Sequence, residues 1–208
     1  KITIVEATSG ILPGADRDLT DVIHKDKKEL LKDTRFNTKV KTVKKQRNKL
    51  KVTFENEDDQ QEEEFDKMLI AVGEVPNSEN LGLEDLGIET DENNFIRVNE
   101  YRQTNIEHIY AIGDVAGQPL LAHKASHEGR VAAEHIAGEK TAYDPKAIPA
   151  IVFIEMAWVG ITEAQAEKEG RNVKVTKFPW GASGRAKTLG KAYGLTKLIF
   201  DPETDRLL

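Results

Sequence analysis

Four apolar residues, Ile109 to Ile112, run into Gly113-Asp114. Across Gly117 and Pro119 they hand over to a stretch in which Leu121, Ala125, Val131, Ala132 and Ile136 recur at helical spacing. A short apolar run closed by glycine predicts a strand buried on both faces of a parallel sheet. Glycine and proline shape the turn after it, and the spacing with small alanines predicts a long, closely packed helix. A strand, loop and helix of this kind belong to an open α/β sheet, whose ligands sit at the carboxyl ends of its strands. Asp114 is placed there, where a carboxylate can accept hydrogen bonds from a sugar or polyol. The following helix would aim its free first-turn N–H groups, at the positive end of its dipole, into the same crevice. For an isolated Gly-Asp pair, a turn with the aspartate as helix cap is the better reading; the long apolar and helical context favours a site.

The chain opens on an alternating strand, Lys1-Ile-Thr-Ile-Val-Glu6, that ends on an acid. In a dinucleotide-binding βαβ unit, such an acid takes the adenosine ribose about 20 residues after a Gly-rich turn; alone, Glu6 reads better as a solvated strand end. Residues 16–32 predict a crossover helix and residues 36–43 a strand that includes Val40. Residues 49–55 alternate so that Leu50, Val52 and Phe54 share a face, and the polar run 56–64 predicts a loop. Residues 65–73 then predict a buried strand, with Gly73 permitting the close approach of a ligand or another backbone. A short helix is expected over 80–87, a turn over 91–94, a strand over 95–98 and a proline-interrupted linker over 143–149. Beyond it, short strands over 150–153, 157–160, 173–178 and 196–200, with a helix from Thr162 to Glu169 capped by Thr162, predict an antiparallel sheet with helices on one side.

The formal charge of −6, with basic residues interspersed among acids, speaks against a nucleic-acid partner. No stretch has membrane-spanning length and no signal peptide is evident, so a protein of the cytoplasm or mitochondrial matrix is expected. The absence of cysteine is compatible with a reducing compartment. His123 and His127 have a metal-like spacing, but no third ligand is evident and no metal site is expected.

Residues 109–136, and Pro119-Leu-Leu-Ala-His-Lys-Ala125 above all, resemble the second flavin-binding motif of the FAD-dependent pyridine-nucleotide disulfide oxidoreductases, within them the dihydrolipoamide dehydrogenase branch. The resemblance implies that Asp114 holds the ribityl chain of FAD. It implies that Leu120, Leu121, Ala122 and His123 line the flavin ring, largely through their backbone. Ile4-Val-Glu6 with Leu12-Pro-Gly-Ala-Asp-Arg-Asp18 is similar to the family's NAD domain, which implies NAD contacts at Glu6, Val40 and Gly73. An acid at Glu6 favours NAD over NADP, whose 2′-phosphate it would repel. Where the family carries Val-Gly-Arg-x-Pro-Asn, this chain has Val72-Gly-Glu-Val-Pro-Asn77, an anion in place of a cation. Ala157-Trp-Val-Gly160 and Phe178-Pro-Trp-Gly-Ala-Ser-Gly-Arg-Ala186 resemble the family's dimerisation domain, and Trp158 and Trp180 are expected as core or subunit-interface anchors. The turn at Phe153-Ile-Glu155-Met156 is about two residues shorter than the family's when aligned on its flanks.

The implied fold is α/β. It comprises part of a Rossmann-like NAD domain (1–74), the second half of a flavin-binding domain (75–146), and the start of an α+β antiparallel dimerisation domain (147–208). The implied function is that of a segment of a flavoprotein disulfide oxidoreductase. The intact enzyme would be a homodimer that oxidises dihydrolipoamide on the lipoyl-bearing subunits of 2-oxoacid dehydrogenase complexes and reduces NAD through FAD and a Cys pair. That pair, the Gly-rich turn and the family's acid/base His are not in these 208 residues, so no catalytic residue is expected here and the segment alone should be inactive. The alternatives are another flavin disulfide reductase, of the mercuric or glutathione reductase type, and a non-catalytic interaction fragment, which should expose apolar faces.

Overall fold

The computed structural model describes residues 1–57, 59–152 and 156–208. The chain forms two compact units, one of residues 1–69 with 151–208 and one of residues 70–150. Among the described residues no helix is long and apolar enough to cross a membrane.

The first unit opens with a βαβ element. Strands β1 (Ile2–Val5) and β2 (Leu31–Arg35) pair in parallel, and α1 (Arg17–Asp26) makes the crossover that a parallel pair requires. Arg17 fastens the preceding loop by donating to the carbonyls of Ile11, Leu12 and Ala15 at 2.6, 2.7 and 2.8 Å. The helix is shorter than the 16–32 expected, because Leu31 to Arg35 lacks a helical apolar period and its backbone is committed to β1. The strand expected from residue 36 begins only at Lys39. Asn37 has φ +49°, in the left-handed region that ends a strand, and its N–H bonds Thr8 O at 2.9 Å.

Strands β3 (Lys39–Gln46), β4 (Lys49–Glu55) and β5 (Gln60–Phe65) form an antiparallel meander. β4 forms as read, with Val52 and Phe54 buried on one face and Thr53 buried on the other. β5 departs from the loop expected over 56–64: from Gln60 the polar run is a strand. Charges along the meander and its neighbour β2 support it through cross-strand pairs. Arg35 donates to Glu63 at 2.6 Å and Lys51 pairs with Glu62 at 2.6 Å, while the Arg35 guanidinium lies 4.7 Å over the Phe54 ring. The strand expected over 65–73 is not formed beyond Phe65. Leu69, Ile70 and Val72 are 90, 69 and 91% exposed, and among the described residues no strand pairs with them. Without a partner strand, neither the backbone ladder nor the apolar side chains of this segment can be satisfied.

The C-terminal part of this unit carries β6 (Ala150–Val152), β7 (Met156–Trp158), α3 (Glu163–Lys168), β8 (Lys174–Pro179), α4 (Gly184–Thr188) and β9 (Leu195–Phe200). β6 pairs with β7, and β8 runs antiparallel to β9. Thr162 caps α3 by accepting from Gln165 N at 3.1 Å, as its sequence predicts. The Trp180 ring lies where a Cβ on Gly194 would be, so only glycine fits there, and its Nε1 donates to Thr196 at 2.8 Å. Phe153, Ile154 and Glu155, on which the shortened turn falls, lie outside the described residues.

The second unit is centred on Ile88, Ile96 and Ala111, with Leu83, Val98, Ile106, Ile109, Val115 and Ala116 packed around them. Residues 80–87 form turns instead of the short helix expected, and 95–98 contributes only a bridge from Ile96 to Thr90. Residues 109–112 are likewise not a parallel-sheet strand. They fold back on 102–104, with Thr104 N bonding Ile109 O at 2.9 Å and Ala111 N bonding Arg102 O at 3.0 Å. The turn between these arms is short enough for local antiparallel pairing, and among the described residues this run has no parallel neighbour. A 3-10 turn over Gly113–Ala116 leads on to α2 (Ala122–Ile136).

Candidate functional site

Asp114 lies in the Gly113–Ala116 turn with its side chain exposed, and among the described residues its carboxylate has no hydrogen-bond partner. The turn is held from two directions. Ile96 N donates to Val115 O at 2.8 Å, and α2 packs against the start of the turn through small residues. A Cβ on Gly113 would sit 3.2 Å from Ala125 Cβ, and one on Gly129 would sit 3.1 Å from Ile112 Cδ1. Gly113 also has φ +76°, which a side chain disfavours.

Behind the turn lies a charged cluster that the sequence reading missed. Glu128 is 0% exposed; its Oε2 accepts from Gly113 N at 2.7 Å and its Oε1 from Arg102 at 2.9 Å. Lys124, 4% exposed, donates to Glu128 at 3.2 Å and to Gly113 O at 3.0 Å. Arg102 in turn stacks 4.5 Å over the Tyr143 ring. Burial raises the Tyr143 hydroxyl above its usual range; the Glu128 carboxylate adds to this and Arg102 opposes it. The inward stripe of α2 is therefore Lys124, Glu128, Val131 and Ala132, and Ile136, expected on that side, is 66% exposed. Lys124 and Glu128 stand at i and i+4, the spacing of an ordinary surface pair, and only their meeting with Gly113 reveals the difference.

The loop into α2 places Leu120 and Leu121 half-buried and Ala122 and His123 exposed. No side chain caps α2, so the N–H groups of its first turn remain open beside this loop. His123 Nε2 lies 2.7 Å from Pro149 O, and the His127 ring rests 5.0 Å from that of Tyr143. The structure thus brings Asp114 and residues 120–123 into one unit, joined by the contact of α2 with the turn.

The residues expected to contact NAD are divided between units. Glu6 ends β1 beside the 35–38 segment, where its N–H bonds Arg35 O at 2.9 Å and its carbonyl accepts from Thr38 N at 3.1 Å. Its carboxylate accepts from Thr8 N at 2.7 Å. Val40, one residue into β3, is 45% exposed. Gly73 belongs to the second unit, with φ +114° and open space where a Cβ would stand.

A second buried charge cluster in the first unit was equally hidden. Lys197, its side chain 3% exposed, meets Asp16 at 2.8 Å, Glu163 at 3.0 Å and Asp18 at 3.1 Å. Asp16 also accepts from Glu163 N at 3.1 Å and so joins α3 to the start of α1. Burial pushes the Asp16 and Asp18 carboxyls up. Lys197, with the α3 N–H groups at Asp16 and Lys177 at Asp18, outweighs that and holds both below 3.8.

The pyridine nucleotide-disulphide oxidoreductase profile matches residues 1–129, and that family's dimerisation domain matches residues 148–208. Dihydrolipoyl dehydrogenase of Vibrio cholerae is 46% identical over 211 residues, covering all of this chain and 44% of the relative. That of Thermus scotoductus is 46% identical over 213 residues, covering all of this chain and 46% of the relative. Among solved structures, the HOCl-induced flavoprotein disulfide reductase RclA from Escherichia coli, as a Cu(II) complex, superposes with a TM-score of 0.86 at 31% identity. That match covers 100% of this chain and 48% of the other. LpdA from Mycobacterium tuberculosis superposes at 0.84 with 26% identity, covering 99% and 45%. The chain spans less than half the length of the curated relatives it matches. On the profile match, which exceeds half of its length, the chain belongs to the pyridine nucleotide-disulphide oxidoreductase family.

Proposed function

We propose that the protein to which these residues belong is an NAD-dependent dihydrolipoyl dehydrogenase. The dithiol of a protein-bound dihydrolipoamide would close to a disulfide by way of a Cys pair that these residues do not contain, its two electrons reducing NAD to NADH with release of a proton. Bound FAD supplies the electron relay between thiol and nicotinamide. In this reading residues 1–74 are part of the NAD domain, 75–146 the flavin-contacting segment and 147–208 part of the dimerisation domain. The working form is a homodimer that serves the lipoyl-bearing subunits of 2-oxoacid dehydrogenase complexes. An enzyme drawing on the NAD pool and on such complexes works where both are kept, in the cytoplasm or the mitochondrial matrix.

The observation that carries the reading is the Asp114 carboxylate, without a hydrogen-bond partner among the described residues and presented on a turn held by α2. A carboxylate in that state is an acceptor for hydroxyls, and the ribityl chain of FAD is the polyol it fits. Leu120 and Leu121 offer apolar contact and the open N–H groups at Ala122 and His123 offer donors, a combination suited to the edge of a flavin ring. On the nucleotide side, the Glu6 carboxylate at the end of β1 can accept from a ribose hydroxyl, Val40 is half-exposed on the outer strand β3, and Gly73 leaves room for close approach. The 208 residues contain no cysteine and by themselves do not catalyse the thiol step.

The likeness to RclA supports a second reading, a flavin disulfide reductase with another substrate. Steady-state assay of the full-length protein separates the two. NADH formation from dihydrolipoamide and NAD is expected to exceed NADPH-driven reduction of glutathione disulfide or Hg(II) by orders of magnitude. The reverse preference would replace the first reading with the second.

A further inference from the structure

We propose that Glu128 is a positioning residue for the flavin, acting through Asp114 by clamping the Gly113 backbone together with Lys124. The proposal rests on the reading of Asp114 as a flavin contact. Gly113 is gripped on both sides of its Cα: its N–H donates to Glu128 Oε2 at 2.7 Å, and its carbonyl accepts from Lys124 at 3.0 Å. The two grips act on different torsions. The bond from Glu128 to the N–H holds φ in the left-handed region, at +76°. The bond from Lys124 to the carbonyl holds the planar peptide that joins Gly113 to Asp114. Orienting that plane sets the direction in which Asp114 leaves the backbone.

Burial shows why this arrangement is unusual. A lysine at 4% and a glutamate at 0% exposure form a costly pair, since their attraction only partly returns what desolvating two charges takes. For stability alone, two apolar residues on the inward face of α2 would serve as well. What apolar residues cannot do is bond one glycine's donor and acceptor together. Arg102 completes the arrangement at 2.9 Å, so the carboxylate accepts at both oxygens and cannot turn away from Gly113. A ligand that meets a carboxylate already held in place forfeits less conformational freedom on binding, which strengthens affinity without adding a contact.

The test is a double-mutant cycle read as FAD affinity, with flavin titrated into full-length apoprotein and followed by fluorescence quenching. Asp114→Ala alone is expected to weaken FAD binding about tenfold or more, and Glu128→Gln alone about tenfold, as for loss of a charge-assisted hydrogen bond. If Glu128 acts through Asp114, adding Glu128→Gln to Asp114→Ala changes affinity by less than about twofold. A structural contribution independent of Asp114 would instead multiply, and a further tenfold loss in the double variant overturns the proposal. Unchanged affinity in Glu128→Gln overturns it as well. Unchanged affinity in Asp114→Ala removes the flavin reading on which it stands, an outcome distinct from the other two. Should Glu128→Gln not fold, Lys124→Met takes its place in the same cycle with the same expectations, because Lys124 holds the other side of Gly113.

Discussion

Replacing Lys197 with methionine tests the charge cluster that ties α1 to α3. The substitution keeps most of the aliphatic stem and removes the ammonium that meets Asp16, Glu163 and Asp18 at 2.8, 3.0 and 3.1 Å. These bonds are not equal. The Asp16 side chain is 8% exposed and loses the one cationic partner it has among the described residues while keeping the α3 N–H groups. Asp18 and Glu163 are 29 and 38% exposed, and Lys177 still stands 2.8 and 3.6 Å from them. Asp16 therefore dominates, at about 1.5–3 kcal/mol for a buried charge-assisted bond, and the other two together add under about 1 kcal/mol after solvent screening. Relief from burying the ammonium offsets part of this, leaving a net loss of about 2 kcal/mol.

The assay is hydrogen exchange by mass spectrometry on the full-length protein. Amides of α1 and α3 should exchange about 30-fold faster in Lys197→Met, while peptides of the 70–150 unit are unchanged. The pH dependence supplies a second check. Asp16 and Asp18 have folded-state values below 3.8, so their stabilisation is complete above 3.8 and is lost as pH falls through the depressed values. The gap between variant and parent should close in that acidic window. Lys197 is raised above 10.5: burial lowers it but its three acids outweigh that, so its contribution persists up to that pH and is lost above it. Unchanged exchange in α3, or a gap indifferent to acid, refutes the assignment.

Gly113→Ala would place a Cβ 3.2 Å from Ala125 at φ +76°. It should cost about 1–3 kcal/mol and reduce flavin retention, read by thermal unfolding and by the absorbance of the purified holoprotein. Retention equal to the parent's would show that the left-handed turn is not required. Val72→Lys should lower self-association of the 208-residue chain in sedimentation velocity, because Val72 is 91% exposed in an apolar segment without a strand partner among the described residues. Equal association by parent and variant would place the contact elsewhere.

What could be read from the sequence follows from where each residue's partners lie. β4 was legible because Leu50, Val52 and Phe54 alternate with polar residues, the period of a strand, although Thr53 between them is buried as well. The Thr162 cap was legible because capping is local, reaching only to Gln165. β5 was not, since Gln60-Gln-Glu-Glu-Glu64 is held by cations on neighbouring strands, among them Arg35 and Lys51. The run 109–112 has the apolar character of a parallel-sheet strand, but its backbone pairs with 102–104, a choice that depends on which neighbours are present. At the candidate site, Asp114 could be found from its place after an apolar run and by family resemblance. Lys124 and Glu128 could not, because the group they serve is the backbone of a residue 11 to 15 positions earlier. A buried i,i+4 pair leaves the same trace in sequence as a solvated one.

Whether the Asp114 turn holds the flavin's polyol chain can be seen in a crystal structure of the FAD-loaded full-length protein. An Asp114 carboxylate oxygen is expected about 2.6–2.9 Å from a ribityl hydroxyl, with the Gly113 N–H still bonded to Glu128. A bound flavin whose ribityl chain meets another residue, with Asp114 left facing solvent, would contradict it.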